Sequence, residues 1–178
     1  MNRRVSRAPV LVFAGGIILA LGLVLLGARL AAAPAPPPDL SRAGTPGEPR
    51  EVNVIMRDYV FNPSTIHLLA GEAVQFNVIN GGLVAHEFVL GGDAVQGAWA
   101  TAHSRATPPA PFATPAAASV PPGTGGVRVL LGPGEFATLR HVVPKDAELQ
   151  LACHLPGHVE RGMVAQVEVL DGTLAEDR

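Results

Sequence analysis

Hydrophobic and polar positions alternate through most of the chain after residue 50. In EVNVIM (residues 51–56), Val52, Val54 and Met56 fall on one side, and in EAVQFNVIN (72–80) Val74, Phe76 and Val78 do the same. STIHLLAG (64–71), HEFVLG (86–91), VRVLLG (127–132), EFATLRHVV (135–143), AELQLAC (147–153) and MVAQVEVL (163–170) continue the series. Successive side chains of a strand point to opposite faces, so short alternating runs bounded by Gly, Pro and Asn are strand signals. Eight such segments without a strong helical period predict an all-β domain over residues 51–170, a Greek-key β-sandwich or barrel.

Two stretches break the alternation. Residues 91–126 are rich in Ala, Pro and Gly and carry only Asp93 and Arg105 as charges. They read as a long surface loop with a short helical turn around Val95 to Ala102. Trp99 and Phe112 would either anchor that loop on the sandwich or meet a partner. The other break is at the start, where MNRRVSR leads into residues 9–28 without a single charge. About 20 apolar residues suffice to span a bilayer as a helix. Residues 1–30 therefore predict a retained signal-anchor, with AAAPA (31–35) as the cleavage site if the segment is instead a signal peptide. In both cases Arg3, Arg4 and Arg7 stay on the cytoplasmic side. The domain is then exported, either membrane-anchored on the periplasmic or extracellular side or free in the periplasm. Residues 31–50, dense in Pro, Ala and Gly, read as an extended tether. Residues 171–178 form a short tail.

Composition narrows the chemistry. The 178 residues carry a formal charge of −2, which argues against a nucleic-acid partner. A single cysteine excludes an internal disulfide framework, a two-cysteine metal centre and a C-x-x-C-H haem attachment. The sequence has no G-x-S-x-G, P-loop or H-E-x-x-H, so an enzyme is not expected.

The lone thiol lies in CHLPGHVERGM (153–163), spaced Cys153-x4-His158-x4-Met163, and NGGLVAHEFVL places His86 at the start of a predicted strand. A thiolate, two imidazoles and a weak axial thioether form the donor set of a mononuclear blue-copper site. Thiolate and thioether favour Cu(I) and imidazole accepts Cu(II), so such a site accommodates both states. A single Zn²⁺ site or an inert buried cysteine are the rival readings. By alternation Leu149, Leu151 and Cys153 share one face, and so do His86, Phe88 and Leu90. Both ligands then emerge at one pole, while Pro156 and Gly157 turn the chain to return His158.

Three phrases, YVFNPSTIHLLAGEAVQFNVIN, HEFVLG and CHLPGHVERGM, resemble the cupredoxins, the blue type 1 copper proteins that include plastocyanin and azurin. The ligand spacing is most similar to the auracyanin and rusticyanin type. The resemblance covers residues 52–170. It implies a Greek-key sandwich, one copper ion on His86, Cys153, His158 and Met163, and single-electron shuttling by a monomeric domain. It also implies redox partners such as a cytochrome or membrane oxidoreductase complex, docked on an apolar patch around an exposed edge of His158. A copper storage or delivery module of the cell envelope is the alternative with the same ligands, and a redox-inert domain on a stalk is the third. Leu83, Val84, Leu155 and Pro156 would pack over the ligands.

Two residues depart from the family pattern. Glu87 stands where many cupredoxins have Asn, and His154 where Ser or Thr is common. Alternation turns Glu87 away from His86 toward the surface, and turns His154 away from the metal. His67, His103 and His141 have no partner at metal spacing and read as surface or strand histidines, whereas Met56 reads as core.

Overall fold

A computed structural model describes residues 40–107, 115, 118–146 and 148–171. The anchor or signal predicted for residues 1–30 and the tail from 172 lie outside the described residues, as does Phe112. Among the described residues no helix is long and apolar enough to cross a membrane.

The eight predicted segments all form strands, and a ninth joins them. In chain order these are β1 (Arg50–Arg57), β2 (Val60–Asn62), β3 (Thr65–Leu69), β4 (Ala73–Asn80), β5 (His86–Gly91), β6 (Val127–Leu131), β7 (Phe136–Val142), β8 (Gln150–Ala152) and β9 (Val164–Leu170). The added strand, β2, is only three residues long, too short for a period to show. It pairs back on β1 through an Asp58-Tyr59 turn, with Arg57 opposite Val60 and Tyr59 at a left-handed φ of 68°.

One sheet has the order β2-β1-β4-β7 and the other β3-β9-β8-β5-β6. β1–β4 and β3–β9 are parallel, and the remaining pairs are antiparallel. Both sheets turn one face inward, and the shared core includes Val54, Met56, Phe76, Val78, Phe88 and Leu151. Phe76 and Phe88 meet across the sandwich at 5.3 Å between ring centroids. β4 keeps its other face polar through Gln75 and Asn77, as a half-solvated sheet requires.

β5 departs from that rule, because all six of its residues are buried. The cause is the helical segment expected only as a turn. It is an eleven-residue α-helix, α1 (Asp93–His103), laid over the outer face of β5. Val95 and Trp99 pack on Val89 in a small core of their own, so Trp99 anchors this segment to the sandwich. Gly91 permits the close approach, since a Cβ there would lie 2.7 Å from the Val95 Cβ.

At the end of the sandwich remote from the predicted ligands, Glu72 is buried and ion-paired with Arg50. Its carboxylate also accepts the Leu69 amide at 2.7 Å and the Gly44 amide at 3.3 Å, and Arg50 donates to the His67 carbonyl at 3.0 Å. One carboxylate thus joins the entry of β1 to the β3–β4 turn. Burial opposes its ionisation, but Arg50 and the Leu69 amide outweigh burial and hold its pKa below the usual range. Removing one partner of a buried pair leaves the other charge uncompensated, so Glu72→Ala should cost about 3–5 kcal/mol of stability by urea denaturation. A loss no larger than that of an exposed pair would show that the bond is not structural.

Candidate metal centre

His86, Cys153 and His158 are buried, and one donor atom from each lies within 4.8 Å of the other two. His86 Nδ1 and Cys153 Sγ each stand 3.2 Å from His158 Nδ1. Two donors sharing one ion at bonds of about 2 Å stand at most about 4 Å apart, a limit these separations meet. His86 opens β5, Cys153 follows β8, and the turn at Pro156 and Gly157 carries His158 back, with Gly157 in the left-handed region at φ 81°. Met163, directly before β9, is buried in the same core cluster as Cys153. Its backbone ties the turn shut, with its carbonyl accepting the Cys153 amide at 3.1 Å and its amide donating to the His158 carbonyl at 3.0 Å.

The His86 ring is oriented from outside. Its Nε2 lies 3.1 Å from Asp58 Oδ1, which also accepts the Leu83 amide at 2.9 Å. A carboxylate can only accept, so Nε2 carries the proton and Nδ1 presents a bare lone pair to the pocket. Burial opposes ionisation of Asp58, but the Leu83 and Val84 amides and His86 outweigh it and hold its pKa below the ordinary carboxylate range. Gly82 is required here, because a Cβ would collide with Asp58 Oδ1 and stand 2.8 Å from His86 Nε2. Buried Asn80 fixes the loop by donating to the Val84 carbonyl at 2.8 Å and the Leu131 carbonyl at 2.9 Å.

Burial sets the protonation of the donors. It pushes His86 down and His158 down to about 4, the latter helped by His86 and Arg161. Burial also pushes the Cys153 thiol up to about 12, although the Glu87 amide donates to Sγ at 3.3 Å. Near neutral pH the pocket therefore offers two neutral imidazoles and a thiol whose proton a cation must displace. Two inward nitrogens and a sulfur, with no carboxylate donor among them, suit a borderline or soft transition metal. The residues fit copper by the chemistry of their donors.

Tyr59 closes the pocket. Its ring stands roughly perpendicular to His158 at 5.1 Å and to His86 at 6.5 Å between centroids, and the Arg161 guanidinium lies 4.3 Å over its centroid. His158 is consequently only 2% exposed, so the exposed edge expected of it is absent. Leu83 is left bare, at 59%, and Val159 beside His158 is also exposed, while Val84 and Leu155 are buried as expected. Tyr59 carries no ligand chemistry and no metal spacing, so nothing in the sequence singled it out.

Glu87 is also corrected. It turns away from His86, yet it is fully buried, because α1 covers that face. Its Oε1 pairs with Arg128 and lies 3.1 Å from His103 Nε2. His103, expected at a surface or on a strand, ends α1 and is buried. His154 points away from the metal donors, and its Nε2 lies 2.7 Å from Gln96 Oε1. His67 pairs with Glu168 at 3.0 Å, and Met56 is core.

Two mixed sheets with a His-Cys-His pocket at one pole are the cupredoxin architecture, and solved cupredoxins share it. The chain superposes on auracyanin B with a TM-score of 0.53 at 24% identity, over 68% of this chain and 88% of that one. On auracyanin A, a "blue" copper protein of Chloroflexus aurantiacus, the TM-score is 0.52 at 21% identity, over 68% and 99%. No protein-family model matches the sequence. Curated relatives are nearer in sequence. The copper-resistant cuproprotein CopI of Rubrivivax gelatinosus is 39% identical over 131 residues, 71% of this chain and 72% of the relative. CopI of Pseudomonas aeruginosa is 31% identical over 175 residues, 85% of this chain and 96% of the relative. The chain belongs to the CopI family of copper-resistant cuproproteins.

Two expectations follow from this geometry. Loss of a residue that orients a metal-binding histidine typically costs about 10–100-fold in metal affinity, and Asp58→Ala should do so in a competition titration. An unchanged affinity would show that the Asp58 bond does not orient His86. The second concerns the metal-free domain. The unfolded chain protonates histidine near about 6.5, whereas the fold keeps His158 neutral down to about 4. Unfolding therefore takes up a proton in that window, and urea midpoints should fall as pH drops from about 6.5 toward 4.

Proposed function

We propose that the protein is a mononuclear copper protein of the cell envelope that exchanges single electrons. The observation that carries this reading is the convergence of His86 Nδ1, His158 Nδ1 and Cys153 Sγ in one buried pocket. Cys153 would hold the ion through its thiolate and His86 and His158 through their imidazoles, and Met163 would offer a thioether. Copper bound there supplies a one-electron couple at a site whose donors suit both oxidation states. The surrounding residues hold the donors in place and exclude water, which limits the rearrangement that an electron's arrival would otherwise demand. A redox partner would dock at the pole where Leu83 and Val159 are exposed, a contact of the small kind typical of transient redox partners.

A second reading has its own support in the name of the curated relatives, copper-resistant cuproproteins. In it the same site holds copper for tolerance, by storage or delivery, without shuttling electrons. Both readings place the domain outside the cytoplasm, supported by the basic start and the uncharged run of residues 9–28.

Copper(II) reconstitution of the purified protein should give one bound ion and an intense visible thiolate-to-copper band, and Cys153→Ser should abolish that band. A colourless copper(II) form would overturn the blue-copper reading. Stopped-flow mixing with a reduced cytochrome then separates the two readings. Rapid bleaching without copper release supports electron exchange, while transfer of Cu(I) to a chelator without fast bleaching supports storage or delivery.

A further inference from the structure

The two residues that depart from the cupredoxin pattern, Glu87 and His154, share a structural position. Each directly follows a proposed ligand, so alternation directs each to the opposite face from its neighbour. That face is covered by α1, whose buried side includes Gln96 and His103.

His103 Nε2 faces Glu87 Oε1 at 3.1 Å and must donate its proton, because the carboxylate only accepts. Gln96 is fixed just as strictly. Its amide nitrogen lies near three carbonyls, of Val89 at 3.2 Å, Gly91 at 3.1 Å and Gln150 at 2.8 Å. Its oxygen is thereby left to accept from His154 Nε2 at 2.7 Å. Gln96 thus bonds β5 and β8, the strands that present His86 and Cys153, and also the residue after the thiol. The Glu87 backbone closes the circuit, because its amide donates a hydrogen bond to Cys153 Sγ, as the Leu155 backbone also does.

We propose that α1 is an external brace for the metal centre, with Gln96 and His103 as positioning residues that fix Cys153 and its Glu87 amide donor. The proposal refines the copper reading of the same site. A helix needed only for packing would require no more than Val95 and Trp99, which already seat it on Val89. Gln96 and His103 instead spend buried polar groups on the neighbours of two ligands. His103 even leaves its Nδ1 buried without a partner, a cost that packing alone does not explain. With the brace in place, the sulfur and its donor are held before any metal arrives, and the thiol is shielded.

The test uses the full chain with Gln96→Met and His103→Phe, singly and together, which keep bulk and remove the hydrogen bonds. Val95→Ala is the control, since it loosens the helix without touching them. His103→Gln, which can still donate to Glu87, is the rescue. The brace predicts that Cys153 alkylation in the metal-free double variant accelerates about tenfold or more, and that the thiolate-to-copper band shifts. Val95→Ala should change neither at a comparable loss of thermal stability, and His103→Gln should restore the values lost in His103→Phe. If alkylation and band instead track thermal stability alike in every variant, the helix merely packs and the proposal falls. Should the double variant not fold, the singles decide by the same criteria. A parent protein that takes up no copper overturns the copper reading, and the metal-free alkylation rates still decide the brace.

Discussion

His86 Nδ1 and Cys153 Sγ each stand 3.2 Å from His158 Nδ1, all three side chains buried. Each would be better solvated in the unfolded chain, and the few bonds that two imidazoles and a thiol can make among themselves do not offset the loss of water around all three. The remainder of this pole reads as the answer to that constraint. The donors are held by groups around the pocket, and every such group makes its own hydrogen bonds elsewhere.

The hold comes from two sides. On one side, Asp58 accepts a hydrogen bond from His86 and is itself fixed by the loop amides that Asn80 keeps in place. On the outer side, α1 grips Glu87 and His154, and Arg128 joins Glu87 while its guanidinium lies 4.3 Å over Trp99. Asp58 and Glu87 each meet a cationic or donor group, and Arg128 offsets part of the field that Glu87 imposes on Cys153. Removing one member leaves its partner buried and unpaired, which costs more than the bond contributes.

Much of this was legible in the sequence, and the parts that were not share a cause. Alternation identified eight strands, because a strand with one face on the core carries its environment in its own residues. The grouping of His86, Cys153 and His158 was legible because a thiol and two imidazoles at this spacing have little other use together. Alternation also gave the direction of Glu87 correctly and its environment wrongly. Direction is a property of the strand, whereas burial depends on what lies over it, and that is a helix built from Ala-rich sequence in a segment that reads as loop. His103 was missed for the same reason, since its partner is sixteen positions away on another element. Tyr59 was missed because its role follows from a two-residue turn that no hydrophobic period records.

The cover over His158 follows from the same economy of space. A loop of nine residues between Cys153 and Met163 has room for only one short 3-10 turn, Val159–Arg161, after the second histidine. That turn carries Arg161 out to the Tyr59 ring, and Tyr59 in turn stands against both imidazoles. A cation fixed above the ring discourages protonation of His158, which burial has already made unfavourable, and so helps to keep the nitrogen free for metal. The edge of the ligand that would be exposed on a bare loop is thus exchanged for a neutral, water-excluded donor.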